Sequence, residues 1–131
     1  MSQQKEKTKV YAELQELDGE VKELNSHLEK LDEQLAEVNA SRLAVEQISN
    51  VAEGEELRVP LANGVYIKAK LFDPKHIMIN VGADVTVEKE PTEVIEILDS
   101  QITELAAYRE RILESMKAII SRVEEIQRQI E

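Results

Sequence analysis

Leu57-Arg58-Val59-Pro60-Leu61-Ala62-Asn63-Gly64-Val65-Tyr66-Ile67-Lys68-Ala69-Lys70-Leu71, continued after Asp73-Pro74-Lys75 by Ile77-Met78-Ile79-Asn80-Val81-Gly82-Ala83-Asp84-Val85-Thr86-Val87, decides the fold. Val65, Ile67, Ala69 and Leu71 alternate with Tyr66, Lys68 and Lys70, and Ile77, Ile79 and Val81 alternate with Met78 and Asn80. A period of two belongs to strands, whose successive side chains point to opposite faces. Each half holds a turn signal, Ala62-Asn63-Gly64 and Gly82-Ala83-Asp84, so the stretch predicts two tandem β-hairpins. Pro60 lacks an amide donor and points to an edge or a bulge in the first strand. Small sheets are marginal in water and leave their edges unpaired. Pairing with other subunits, or closure into a shared barrel, removes those edges, so Val65, Ile67, Ala69, Leu71, Ile77, Ile79, Val81, Val85 and Val87 are the expected assembly residues.

Outward from the hairpins the period lengthens to 3.5. On the N-terminal side Val10, Leu14, Leu17, Val21, Leu24, Leu28, Leu31, Leu35 and Val38 follow one another in steps of four and three, and the phase runs on through Arg42 to Val45. On the C-terminal side the same steps link Ile95, Leu98, Ile102, Leu105, Arg109, Ile112, Met116, Ile119, Val123, Ile126 and Ile130. A helix in a globular core drifts towards a period of 3.6, whereas a sustained 3.5 repeat specifies coiled-coil packing. Gly19 falls on the solvent side, where it weakens the helix by about 1 kcal/mol without touching the seam. Pro91 suits a first helical position, and Thr92 is a candidate cap.

The organisation expected is therefore α+β in a single domain: a helix over residues 8–50, two hairpins over 51–91 and a second helix over 92–131. Helices of equal length, each about 60 Å long, favour an antiparallel hairpin with both ends of the chain together. Val10 then lies near Ile130, and Val38 near Ile102. A parallel homodimer of each helix would use the same seams; local closure is favoured because it is entropically cheaper.

Composition narrows the function. Of 131 residues 33% are charged and only 3% aromatic, so large side chains are too few for a broad core. Sixteen basic against 27 acidic residues give a net charge of −11, which disfavours nucleic acid as a partner. The absence of cysteine fits a reducing, cytoplasmic setting. Met1-Ser2-Gln3-Gln4-Lys5-Glu6-Lys7 lacks the apolar core of a signal peptide, and no apolar run approaches a membrane span. Phosphate-loop and dinucleotide-binding glycine motifs are missing, so the chain is expected to be neither an enzyme nor ATP-driven, with no cofactor and no metal. His27 has Glu23 one turn before it but no third ligand, so a solvated face is favoured there. His76 opens a strand.

Apolar residues off the seams are informative because a two-helix coil does not need them. They thin out along the mid-shaft and return at both ends. Leu43, Ile48, Val94 and Ile97 are placed to pack under the hairpins, while Tyr11, Leu113 and Ile120 stand towards the free ends. Fraying there would expose the seam as well, giving an apolar surface rimmed by charge, and such surfaces bind something. Either the tips grip non-native polypeptide, or they zip shut or pack on a neighbouring copy.

Several strings within this order of elements resemble the alpha-type subunits of the prefoldin family: Val59-Pro60-Leu61, Gly64 to Leu71, Ile77 to Val85, and Val87-Glu88-Lys89. The resemblance spans the whole chain; in that family beta-type subunits carry one hairpin, so two point to the alpha type. The turn Ala62-Asn63-Gly64 holds less glycine than the family pattern. The resemblance implies a hexamer of two alpha and four beta-type subunits, whose sixteen strands suffice for two eight-stranded barrels with the coiled coils hanging below. It also implies an ATP-independent co-chaperone that captures unfolded client proteins at its tips and passes them to a group II chaperonin. The client-binding residues would then be Val10, Tyr11, Leu14, Ile119, Ile120, Val123, Ile126 and Ile130, and acidic tips would suit a basic chaperonin surface. The rival readings are a homo-oligomeric filament of the same fold and a structural coiled-coil adaptor.

Overall fold

The computed structural model describes residues 2–130. Along the chain run α1 (Ser2–Ser49), β1 (Glu56–Ala62), β2 (Val65–Lys70), β3 (Ile77–Gly82), β4 (Val85–Lys89) and α2 (Pro91–Ile130). Two long helices thus enclose two antiparallel hairpins, the α+β architecture that the change of period predicts. The elements form two compact units: one takes α1 as far as Ala36 with α2 from Thr103, and the other takes Glu37–Ile102.

In the first unit the heptad seam is the core. Between Gln15 and Ala36 only Leu17, Val21, Leu24, Leu28, Leu31 and Leu35 are withdrawn from solvent. On α2 the withdrawn residues include Leu105, Arg109, Ile112, Met116, Ile119, Val123 and Ile126, again the predicted steps. Leu31, Ile112 and Ile126 are buried, and Ile126 is 1% exposed. So narrow a stripe follows from the heptad: each seam residue faces the other helix, and of the flanking positions in this unit only Glu13 and Leu113 are half-buried while the rest face water.

The helices differ in length, with 48 residues in α1 and 40 in α2. α1 begins at Ser2, ahead of the expected residue 8, because Gln3 to Lys9 contains no glycine or proline and is rich in good helix formers, although it lacks an apolar repeat. Nor are the ends frayed. Helix persists to Ile130, and the seam stays closed at Ile126.

In the second unit α1 ends where two polar side chains share one of its late carbonyls. Ser49 Oγ and Asn50 Nδ2 both donate to the Glu46 carbonyl, at 2.7 and 3.2 Å. Pro91 is the first residue of α2, and the Glu90 carbonyl accepts the first helical bond from the Val94 amide at 3.1 Å. The cap position therefore belongs to Glu90 and not Thr92, since proline with its fixed φ takes the first helical turn. Val94 and Leu98 are buried and Ile48 and Ile97 half-buried, whereas Leu43 remains 54% exposed, off the seam.

β1 pairs β2 and β3 pairs β4, each as a separate two-stranded sheet. The register shifts between Pro60 and Ala62, the bulge that Pro60 suggested, and again between Asn80 and Gly82. In the second turn Ala83 and Asp84 have φ of 50° and 60°, the two left-handed residues of a type I′ turn, whose twist matches that of the strands. Asn80 Oδ1 accepts the Gly82 amide at 2.8 Å beside it. Leu71 lies just past β2, but its amide donates to the Glu55 carbonyl at 3.0 Å and its carbonyl accepts from Gly54 at 2.8 Å, so pairing extends through it.

Candidate functional site

Two surfaces carry exposed apolar side chains in quantity, one in each unit. In the second unit, the register places Leu57 opposite Ala69 and Val59 opposite Ile67 in the first hairpin, and Ile79 opposite Val87 in the second. Alternation puts these pairs on one face of their strands. Ala69, Leu71, Ile77, Ile79 and Val87 are half-buried, while Val65, Ile67, Val81 and Val85, nearer the turns, are exposed. The opposite face holds Arg58 facing Lys68 and Asn80 facing Thr86. Each hairpin therefore has an apolar face uncovered towards its turn, an opposite face that mixes polar residues with the exposed Tyr66 or Met78, and two edges with no strand beside them among the described residues.

Between the hairpins Phe72 is 88% exposed, and the following residues are held by one carboxylate. Asp73 Oδ1 accepts the Lys75 amide at 2.9 Å, and Asp73 Oδ2 lies 2.8 Å from His76 Nδ1. The Lys75 amide first, and then His76, hold the Asp73 carboxyl below its ordinary range. Its hydrogen bond and charge lift His76 above the ordinary imidazole value. His27 is simply exposed on α1.

At the free end of the first unit, Gln3, Glu6, Lys7, Val10, Tyr11, Gln129 and Ile130 line a shallow groove, so the start of α1 and the end of α2 lie together as the antiparallel reading required. Tyr11 and Ile130 stand out from it, 57% and 39% exposed. Ile120, 46% exposed, is a ridge between two further grooves, one with Leu14, Val21 and Val123 and the other with Leu113 and Met116. Of the eight residues proposed from sequence for this surface, Tyr11, Ile120 and Ile130 are exposed. Val10, Leu14, Ile119 and Val123 are half-buried along the seam, and Ile126 is closed inside it.

Charged side chains tie the helices together. Arg109 sits in the seam of α2, half-buried, and its Nε donates to Asp32 Oδ1 at 2.8 Å. Nearer the free end Arg122 Nε donates to Glu13 Oε1 at 3.1 Å. A later residue on α2 meets an earlier one on α1, the mark of antiparallel helices. In the second unit Arg42, the corresponding break in the α1 seam, reaches Asp99 and Glu46, both at 2.5 Å. Asp99 and then Glu46 raise its pKa further above the ordinary arginine range. Sequence reasoning located Arg42 and Arg109 but not their partners, because Asp32 and Asp99 lie off the seam among many carboxylates.

A family model described as prefoldin subunit matches residues 17–131. The chain is 30% identical over 108 residues to the prefoldin subunit alpha of Thermofilum pendens, covering 82% of this chain and 84% of that protein. It is 29% identical over 125 residues to the prefoldin subunit alpha of Methanoculleus marisnigri, covering 91% and 84%. The filamentous PFD of Methanocaldococcus jannaschii, a cryo-EM structure, shares its fold at a TM-score of 0.79 and 16% identity, over 91% of this chain and 98% of that one. With two hairpins between two heptad helices, and with relatives that are alpha subunits along most of its length, the chain belongs to the prefoldin family.

Proposed function

We propose that this chain is the alpha-type subunit of an ATP-independent holdase, which captures unfolded polypeptide at the free end of its helix pair and hands it to a group II chaperonin. The observation that carries this reading is the pairing of closed seam with open flank: Ile126 holds the helix ends together while Tyr11, Ile120 and Ile130 remain in solvent. Side chains left exposed on a fully formed helix pair are available to a client without prior unfolding. The hairpins support the assembly half of the reading, since their uncovered apolar faces and free edges suit strand pairing with beta-type subunits in a hexamer of two alpha and four beta chains. Among the described residues no helix is long and apolar enough to cross a membrane, and a cytoplasmic location accords with the absence of cysteine.

The test is light scattering from a chemically unfolded protein diluted into buffer without ATP. The full-length chain assembled with a beta-type partner is compared with one shortened by about ten residues at each end. Suppression of scattering that disappears on shortening supports capture at the ends. An assembled full-length complex that fails to suppress scattering overturns it in favour of a structural adaptor.

A further inference from the structure

Between Ile112 and Ile126, α2 carries a wider apolar stripe than a helix pair uses. Ile112, Met116, Ile119, Val123 and Ile126 form the seam, and Leu113 and Ile120 add a third apolar position to each heptad on one side of it. Two apolar positions per heptad specify a single partner helix, whereas three belong to a helix that packs against more than one neighbour. Among the described residues α1 is the one helix beside it, and on this flank α1 presents the exposed Asp18, Asn25 and Asp32. The other flank is tied shut by Arg122, which donates to Glu13 at 3.1 Å.

Two hollows show which kind of neighbour fits. Leu113, Met116, Lys117 and Ile120 frame one; Ile120, Val123, Glu124 and Gln127 frame the next, with Leu14, Asp18 and Val21 of α1 along its far wall. Each set of four on α2 has the spacing i, i+3, i+4, i+7, which in coiled-coil packing receives one side chain from a facing helix. The hollows repeat after seven residues, about 10.5 Å along the axis. A helix with apolar side chains seven residues apart fills both from one face. An extended strand covers that distance in about three residues, and its alternation turns the second of the two side chains away. Met116 and Val123 line the hollows and also belong to the seam, so this flank continues the interface between α1 and α2.

The charges at the rim decide between a second copy and a foreign helix. Asp18, Glu110, Glu114 and Glu124 stand there with Lys117, and Lys22 pairs with Asp18 at 3.2 Å. A second copy docked by the same face would set these carboxylates against their own equivalents, whereas a helix with neutral or basic flanks meets no such repulsion. We infer that this flank of α2 binds client polypeptide as an amphipathic α-helix, which lies along the pair as a third helix with apolar side chains seated on either side of Ile120. The inference rests on the capture reading above and names the conformation of the segment captured.

The experiment measures fluorescence anisotropy of two labelled peptides of about fifteen residues and one composition, built from Leu, Ala, Gln and Lys and used where each is monomeric, binding to the full-length chain. Leucines are spaced three and four apart in the first and two apart in the second. The expected result is roughly tenfold tighter binding of the first peptide, with its amide chemical shifts turning helical in the complex. I120Q should weaken that binding roughly three- to tenfold. Y108Q, at a similarly exposed tyrosine on the flank of Arg122, should leave it unchanged. Helix content of both variants is checked by circular dichroism. Equal binding of the two peptides, a first peptide that stays extended when bound, or indifference to I120Q overturns the inference. So does binding of neither peptide; the capture reading is judged separately, by the scattering of an unfolded protein. If the unaltered chain self-associates and I120Q abolishes that association, the flank belongs to a second copy and the inference falls.

Discussion

Arg109 occupies a seam position of α2, where the heptad calls for an apolar residue, and its Nε lies 2.8 Å from Oδ1 of Asp32 on α1. Half of the Asp32 side chain remains in water, so the carboxylate keeps part of its hydration while it orients the guanidinium. Such a pair adds little stability, because an exposed ion pair exchanges hydration for contact at nearly equal free energy. Its effect is on register: sliding either helix by one turn leaves Arg109 against apolar seam residues without its partner.

Reversing one charge should therefore separate register from overall stability. Arg109→Asp places two carboxylates together and should lower the melting temperature, and adding Asp32→Arg should recover most of the loss. A double-mutant cycle should give a coupling of about 0.5–1 kcal/mol. No recovery in the double variant would show that the two side chains act independently.

Closed seam and open flank should respond oppositely to substitution. Ile126→Ala removes buried volume and should cost about 2–5 kcal/mol in thermal or urea unfolding. Ile120→Ser, at an exposed position, should change stability by less than about 0.5 kcal/mol yet weaken suppression of client aggregation. A loss of suppression confined to Ile126→Ala would mean that capture needs only an intact pair and no exposed apolar ridge.

What could be read in the sequence follows from how strongly each feature depends on periodicity. Leu17 to Leu35 declare a seam because burial on one face is a one-dimensional pattern, and Val65 to Leu71 declare a strand for the same reason. Pro60 marked its own bulge, since a missing donor is a local property. The opening turns of α1 carry no apolar repeat, so periodicity alone does not show that the helix starts as early as Ser2. Ile126 and Ile120 illustrate a second limit. Both are apolar and close in sequence, and only the azimuth of each about the helix, relative to a partner helix, buries one and exposes the other.

The segment joining the hairpins should be sensitive to pH from both sides. The imidazole of His76 is raised above its ordinary value by Asp73, so its contribution is complete below about pH 6.5 and is lost as pH rises through the folded value. The Asp73 carboxyl is lowered, mainly by the Lys75 amide, so its contribution is present above the ordinary aspartate range and is lost as pH falls through the folded value. An NMR titration should show the His76 midpoint above that of a free imidazole, returning towards it in Asp73→Asn. A midpoint unmoved by that substitution would mean that the contact does not persist in solution.

Assembly gives the sharpest test of the hairpins, because their apolar faces are open in the single chain. Ile67 lies opposite Val59 on such a face and is 50% exposed, so Ile67→Asp leaves its carboxylate in water and should not alter helix content or the melting of the isolated chain. In an assembly that covers this face the same carboxylate would be buried without a partner, a cost of several kcal/mol. Light scattering coupled to size exclusion should show the unaltered chain entering a hexamer with a beta-type subunit, while the variant remains a small species. The unaltered chain alone should also remain small; a long, polydisperse species would instead indicate a homo-oligomeric filament. If Ile67→Asp still assembled, the partner strands would have to meet the hairpin along its edge without covering the Val59 and Ile67 face.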